Sequence, residues 1–184
     1  MAPFLDHLLV AAKNYRPGNP LDPATSMGAL IDQIHLDKVL GYIERGRAEA
    51  KILCGGGRMP VADGGYYVEP TIFACIDGQA SIAREEIFGP VLSVISFDTP
   101  EQALAIANAS EYGLAAAIWS ADIGTAHEMG RRLRAGTVWI NCYDEIIDMN
   151  FPFGGYKQSG NGRDNSLHAL EKYTELKSTI MRLR

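Results

Sequence analysis

Apolar positions along the chain recur first at helical spacing. Phe4, Leu5, Leu8, Leu9 and Ala12 fall on one stripe, which predicts a short amphipathic helix at the start. Residues Tyr15 to Pro23 (YRPGNPLDP) hold three prolines and a glycine and predict an irregular surface connection. Ile31, Leu36, Val39, Leu40 and Ile43 then lie largely on one face of a second helix, with Gly46 marking its end, from which the boundary could run on a few residues. Strands and helices alternate from there. Lys51 to Cys54 reads as a short strand closed by Gly55-Gly56-Gly57, and Tyr66 to Phe73 as an extended, pairing stretch with Pro70 at an edge or bend. Val91 to Phe97 (VLSVISF) is rich in β-branched residues and reads as a strand.

The next helix has a marked start: Thr99 is a capping residue, Pro100 suits the first helical position, and Gln102 can reach back to the Thr99 amide. Ala103, Leu104, Ile106 and Ala107 form its buried face, and it stops before Gly113. Leu114 to Trp119 (LAAAIW) is a near-continuous apolar run, the pattern of a strand covered on both faces. Asp122 then caps a helix that turns Ile123, Ala126, Gly130 and Leu133 inward, with Arg131, Arg132 and Arg134 near its dipole-favoured C-terminal end. Gly136 to Asn141 (GTVWIN) is the following strand. The stretch Val91 to Asn141 is therefore β-α-β-α-β, with connections short enough to favour parallel strands and a crevice at their C-terminal ends. The fold class is α/β, an open, mostly parallel sheet with flanking helices, without internal repeats or low-complexity tracts.

A length of 184 residues suits one domain, and 47% hydrophobic with 21% charged residues is globular composition that excludes wholesale disorder. The balance of 17 Lys and Arg against 22 Asp and Glu gives a net charge of −5, which argues against nucleic acid or an anionic membrane as partner. Cys54, Cys75 and Cys142 are too scattered for a disulfide framework, and with no C-x-x-C and four dispersed histidines they offer no metal site. Asp6 and His7 interrupt the first apolar run, so no secretory signal is expected. No stretch approaches the roughly 20 apolar residues of a spanning helix. Unpaired thiols and the lack of a signal predict a cytoplasmic protein.

Several familiar reactive patterns are missing. The sequence has no phosphate loop of the G-x-x-x-x-G-K-[ST] type, no G-x-S-x-G elbow and no H-E-x-x-H. Gly160-Asn161-Gly162-Arg163-Asp164-Asn165 has two glycines of a dinucleotide fingerprint but Asn at the last position, and it does not directly follow a strand. Two segments stand out instead. Arg84-Glu85-Glu86-Ile87-Phe88-Gly89-Pro90 precedes one strand, and Pro152-Phe153-Gly154-Gly155-Tyr156-Lys157-Gln158-Ser159-Gly160-Asn161-Gly162-Arg163 follows another. Taken one residue at a time, Phe88 is a core aromatic, the glutamates are solvated and the glycines punctuate loops.

Together these segments resemble the NAD(P)-dependent aldehyde dehydrogenases. The resemblance runs from Tyr15-Arg16-Pro17-Gly18 through Glu69-Pro70-Thr71 and EEIFGPV to PFGGYKQSGNGR and Tyr173-Thr174-Glu175-Leu176-Lys177. It implies that residues 1–172 are part of the family's catalytic domain and that 173–184 form its oligomerisation strand, so homo-oligomers or pairing with intact family subunits are expected. It also implies that Glu86 holds the nicotinamide ribose hydroxyls and Phe88 packs by the ring, with Glu85 beside them solvated. A carboxylate suits a diol because charge-assisted hydrogen bonds are about twice as strong as neutral ones. The loop Cys142 to Phe153 (CYDEIIDMNFPF) matches the family's substrate mouth. Tyr143, Met149, Phe151 and Phe153 would line an apolar tunnel, and Asp144, Glu145 and Asp148 would either attract a cationic amine or simply be solvated. The wording of the C-terminal stretch is most similar to the branch that oxidises amino-aldehydes, including gamma-glutamyl-aminobutyraldehyde.

The family reaction needs a thiolate that attacks the aldehyde, passes hydride to nicotinamide and leaves a thioester for hydrolysis by activated water. Its nucleophile stands in a Gly-Gln-x-Cys motif, which these 184 residues do not contain. The general base, the oxyanion-binding asparagine and the dinucleotide-binding half are not found either, so an NAD or NADP site would be incomplete and bind weakly. Cys142 alone lies near the expected site, and it reads as a tunnel residue with no adjacent base to lower its pKa. The expectation is a C-terminal fragment of an oxidoreductase, inactive alone, with an unpaired sheet edge where the domain's first strand would lie. The alternatives are a non-enzymatic module that pairs with intact subunits, and one half of a split dehydrogenase.

Overall fold

The structure is a computed structural model that describes residues 2–61, 64–75, 77–144 and 148–183. The chain divides into two units, Met1–Phe97 and Asp98–Arg184. In the first, helix α1 (Ala2–Ala12) forms where its stripe predicts, yet buries none of its residues. Helix α2 (Gln33–Glu49) starts at Asp32, whose carboxylate accepts the His35 amide at 2.7 Å and satisfies one of the orphan N–H groups of the first turn. It buries Leu36, Val39, Tyr42, Ile43 and Gly46. The helix runs on three residues past Gly46 to Glu49, within the few allowed for, and the glycine is a packing position: a Cβ there would come 2.8 Å from Cζ of the fully buried Phe73. One expectation fails here. Ile31 precedes the helix and is exposed.

Strand β1 (Lys51–Cys54) pairs antiparallel with β2 (Thr71–Cys75), and β2 pairs parallel with β3 (Val91–Ile95), from Thr71 opposite Val91 to Cys75 opposite Ile95. The extended approach to β2 makes bridges at Tyr66 and Val68, and Pro70 stands just before the first ladder residue. Helix α3 (Ser81–Arg84) is a single turn. The core of this unit joins Leu36, Val39 and Ile43 of α2 to Val68, Phe73, Ile82 and Ile87. Each such side chain contributes about 1.5–3 kcal/mol by leaving water.

In the second unit, helix α4 (Pro100–Asn108) begins as its local sequence predicts, with Thr99 Oγ1 accepting the Gln102 amide at 3.2 Å. The Gln102 side chain reaches back one residue further than expected and accepts the Asp98 amide at 2.8 Å. Strand β5 (Ala115–Ile118), helix α5 (Ile123–Arg132) and strand β6 (Thr137–Ile140) form a β-α-β unit, with the strands parallel from Ala115 opposite Thr137 to Ile118 opposite Ile140. Asp122 caps α5 by accepting the Thr125 amide at 2.5 Å, which holds its carboxyl below the usual carboxylate range. Leu104, Ile118, Ala126 and Leu133 make a small core. Ile123, expected inside, is exposed, as are Leu114 and Trp119 at the two ends of the apolar run. The unit's core is small, and it leaves both ends of the run uncovered.

The fold is α/β with mixed sheets whose two longest ladders are parallel. Among the described residues the strands form three sheets, β1-β2-β3, β5-β6, and a pair that periodicity did not reveal: β4 (Tyr112–Gly113) antiparallel with β7 (Tyr156–Lys157). The stretch Val91 to Asn141 thus contributes to two ladders, β3 with β2 and β5 with β6. A 3₁₀ helix, Leu167–Tyr173, follows, and residues 174–183 adopt neither helix nor strand, with Leu176, Ile180, Met181 and Leu183 exposed. Among the described residues no helix is long and apolar enough to cross a membrane.

Candidate functional site

In the first unit the chain leaves α3 with the Glu85 amide donating to the Ser81 carbonyl at 2.9 Å. Ile87 is driven into the core beside Val39, while its neighbours Glu86 and Phe88 stay outside. Phe88 is 71% exposed with a φ of +59°, a conformation that costs a non-glycine residue about 1–2 kcal/mol. Its carbonyl is held by the His35 ring, with Nε2 at 2.6 Å. A carbonyl only accepts, so Nε2 carries the proton. The two rings lie 6.1 Å apart at 44°.

The two glutamates differ from the expectation for Glu85, which is not simply solvated. Tyr42 donates its hydroxyl to Glu85 Oε2 at 2.8 Å, and Arg45 Nη1 stands 3.9 Å from the same oxygen while its guanidinium lies 4.1 Å over the Tyr42 ring. The Glu85 bond, with burial behind it, pushes the Tyr42 phenol up, and Arg45 partly opposes the shift. Glu86 is exposed and makes no hydrogen bond or ion pair with the described residues. An uncommitted carboxylate beside an outward aromatic face suits a ligand that combines a diol with a flat ring.

The second unit holds a cleft of about 480 Å³, within the range of small-molecule sites, between β6 and the loop that follows it. Trp139, Cys142, Asp144, Asp148, Phe151 and Phe153 are among the residues that line it. Backbone hydrogen bonds pin the loop: Phe153 and Asp164 exchange amides and carbonyls at 2.8 and 2.7 Å, and the Ser166 amide donates to the Met149 carbonyl at 2.7 Å. Asp148 Oδ1 accepts the Asn150 amide and side chain, each at 2.8 Å. Of the expected lining, Phe151 and Phe153 are present, whereas Tyr143 and Met149 lie outside the cleft at 57% and 68% exposure. The Tyr143 ring instead rests against Trp139, centroids 6.3 Å apart. Trp139 is the wall that the sequence reading missed, since a tryptophan inside a strand carries no mark to separate lining from core. Glu145 lies outside the described residues. Cys54 and Cys142 are free thiols; Cys142 is half-buried in the cleft wall, and no imidazole or carboxylate among the described residues is hydrogen-bonded to its sulfur.

The Gly-rich run is a clasp. Lys157 Nζ donates to the Asn108 and Ser110 carbonyls at 3.0 and 2.8 Å, closing the C-terminal end of α4. Arg163 donates to the Gly155 and Gly162 carbonyls at 3.0 and 2.7 Å, and Arg134 and Arg163 both lie over the Tyr156 ring, at 5.7 and 5.3 Å. Residues 160–165 open no α-helix, so they offer no amide cradle to a pyrophosphate.

The comparisons with known proteins concern the family and the fold. The chain is 54% identical over 175 residues to the NADP/NAD-dependent aldehyde dehydrogenase PuuC of Escherichia coli strain K12, covering 95% of this chain and 34% of that protein. The solved gamma-glutamyl-gamma-aminobutyraldehyde dehydrogenase of Burkholderia cenocepacia J2315 superposes with a TM-score of 0.92 at 65% identity, over 100% of this chain and 37% of that one. The indole-3-acetaldehyde dehydrogenase AldA of P. syringae, solved in complex with NAD+ and IAA, superposes with a TM-score of 0.92 at 55% identity, over 98% and 36%. The chain thus spans about a third of the length of the relatives it matches. Residues 1–179 match the aldehyde dehydrogenase family itself, and with almost the whole sequence inside that match the chain belongs to the aldehyde dehydrogenase family.

Proposed function

We propose that the chain supplies the C-terminal portion of a cytoplasmic NAD(P)-dependent aldehyde dehydrogenase and performs no turnover by itself. The observation that carries this reading is the free Glu86 carboxylate beside the outward Phe88, in the turn where the family's members hold the nicotinamide ribose. Bound nicotinamide would supply a hydride acceptor. This chain's own part is to accept two hydroxyl hydrogens at Glu86, to limit the ring's tilt with Phe88, and to shape the aldehyde's path with Trp139, Phe151 and Phe153. The substrate is an amino-aldehyde. Asp144 and Asp148 on the cleft wall would attract its ammonium group, and the aromatic faces would favour a cation among them.

Turnover needs an acyl-enzyme, and neither Cys54 nor Cys142 has a base hydrogen-bonded to its sulfur among the described residues. The purified chain, incubated with NAD+ and 4-aminobutyraldehyde, therefore forms no NADH and no stoichiometric aldehyde adduct detectable by mass spectrometry. A full-length relative, supplied as a positive control, turns over in the same buffer. An adduct on Cys142, or turnover abolished by Cys142→Ala, refutes the proposal. Pairing with intact subunits is a second reading, favoured by the exposed Leu176, Ile180, Met181 and Leu183 of the tail. Co-purification with a full-length relative that is lost on deleting residues 174–184 supports it, and indifference to the deletion excludes it.

A further inference from the structure

The turn that carries Glu86 and Phe88 is attached to α2 at three points, and the three side chains responsible recur at i, i+4 and i+7. His35 holds the Phe88 carbonyl at 2.6 Å, Val39 lies so close to Gly89 that a Cβ there would come 2.8 Å from its Cγ2, and Tyr42 holds Glu85 at 2.8 Å. That spacing is one stripe of a helix. Val39 sits in the core; His35, only half-buried, spends a ring nitrogen on the turn although solvent is within reach, and the largely buried Tyr42 gives its hydroxyl to the same turn. The two bonds bracket the exposed pair: Glu85 is tied on one side of Glu86, and the Phe88 peptide is tied at the residue whose φ is positive. A residue in that conformation persists only where its surroundings over-determine it. Ile87 anchors the turn to the core, but a buried aliphatic group fixes position more than the orientation of the next peptide plane.

We infer that His35 and Tyr42 are positioning residues: one stripe of α2 sets the pose in which Glu86 and Phe88 are presented. The inference rests on the reading that these two groups meet a nicotinamide ribose, and its test separates the two. In the unmodified chain, NMR should detect a through-hydrogen-bond coupling between His35 Nε2 and the Phe88 carbonyl carbon, with the ring in its Nε2–H tautomer. In H35A the backbone order parameters of Phe88 and Gly89 fall from about 0.85 to below about 0.6, while those of β1 stay unchanged. H35Q, whose amide can donate to the same carbonyl, restores them, and Y42F loosens Glu85 and Glu86 in the same way. Nicotinamide mononucleotide, followed by saturation transfer, binds H35A about fivefold more weakly, the factor that corresponds to one lost hydrogen bond of about 1 kcal/mol. The absence of the coupling, or an H35A turn as rigid as the parent, overturns the inference, and so does loosening that spreads equally to β1. If the nucleotide binds no variant, the parent included, while H35A still frees the turn, the positioning role is supported and the ribose reading alone falls.

Discussion

Two glycines of α2, five positions apart, should respond to alanine with opposite signs. Gly41 is exposed and nothing lies within 4 Å of the place a Cβ would occupy. Gly41→Ala therefore gains only helix propensity, about 1 kcal/mol. Gly46→Ala gains the same amount, but its methyl would sit 2.8 and 3.1 Å from Cζ and Cε1 of Phe73 and 3.2 Å from Cδ1 of Ile82. Ordinary contact begins near 3.4 Å, and Phe73 and Ile82 are 0% and 3% exposed, so the ring has nowhere to retreat. Overpacking of this kind costs about 1–3 kcal/mol, which leaves Gly46→Ala destabilised by about 1 kcal/mol. Both tryptophans, Trp119 and Trp139, belong to the second unit, so the readout is taken in the first unit itself, by amide hydrogen exchange across residues 33–75. Exchange should slow about fivefold in Gly41→Ala and quicken about fivefold in Gly46→Ala. Phe73→Leu removes the far edge of the ring, and in that background the Gly46→Ala change should become stabilising, a coupling that the double-mutant cycle reads directly. If Gly46→Ala protects the helix as Gly41→Ala does, α2 does not lie on Phe73 in the register described.

Three further outcomes follow from particular contacts. Tyr42→Phe loses a bond to a carboxylate that is half-exposed, so the cost is about 1 kcal/mol rather than the 1.5–3 of a charged bond in full burial. Because the phenol is raised in the folded chain, its contribution is complete below pH 10 and fades as the pH climbs through the folded value; urea midpoints of the parent should fall in that alkaline window more than those of Tyr42→Phe. Asp122 behaves in the opposite sense: its carboxyl is lowered by the Thr125 amide, so the cap stabilises α5 above the ordinary value of 3.8 and is lost as the pH falls toward the folded one. Amide exchange at the start of α5 should show that acid dependence in the parent and lose it in Asp122→Ala. Gly136→Ala drives a methyl into the Gly154 carbonyl, a backbone group that cannot rotate away, and should cost about 3 kcal/mol or displace the cleft's outer loop, seen as a red shift of Trp139 emission.

What the sequence reveals and what it hides divides along the range of the interactions. The start of α4 was legible because Thr99, Pro100 and the Gln102 amide are neighbours, and the parallel pair β5-β6 because apolar runs and a short crossover encode it locally. The packing role of Gly46 was hidden because a glycine near a helix end and a glycine that lets a ring approach look identical without Phe73 in view. The β4-β7 pair joins residues more than forty positions apart through strands too short for any period, and is steadied by Arg134 and Arg163 over one tyrosine ring. The EEIFGPV wording pointed to the turn but not to which groups hold it. The partner of Phe88 is a histidine 53 residues away that bonds to a backbone atom, which leaves no trace in the identity of residue 88. In the cleft, aromatic residues of the loop were visible as candidates, yet Tyr143 spends its ring on Trp139 and exchanges roles with it.

On the proposed reading both candidate sites bind rather than react, and the arithmetic of binding explains why one of them would be weak when taken alone. In the first unit the chain offers a nicotinamide nucleotide one carboxylate and one aromatic face. Two hydrogen bonds to a charged group contribute about 1.5–3 kcal/mol each, and burying most of an exposed phenyl ring adds about 1.5–3 more. Against that gross gain stands an association cost of about 4–15 kcal/mol for lost translation and rotation. What remains is at best about 5 kcal/mol, which corresponds to a dissociation constant of about 0.2 mM. Pre-organisation is therefore where such a turn gains most: every increment of freedom removed from Glu86 and Phe88 before the ligand arrives is free energy the ligand need not supply. An aromatic residue left 71% exposed at a positive φ is unfavourable for folding and favourable only for a partner that covers it, and the bonds from α2 are what allow the folded chain to keep it there.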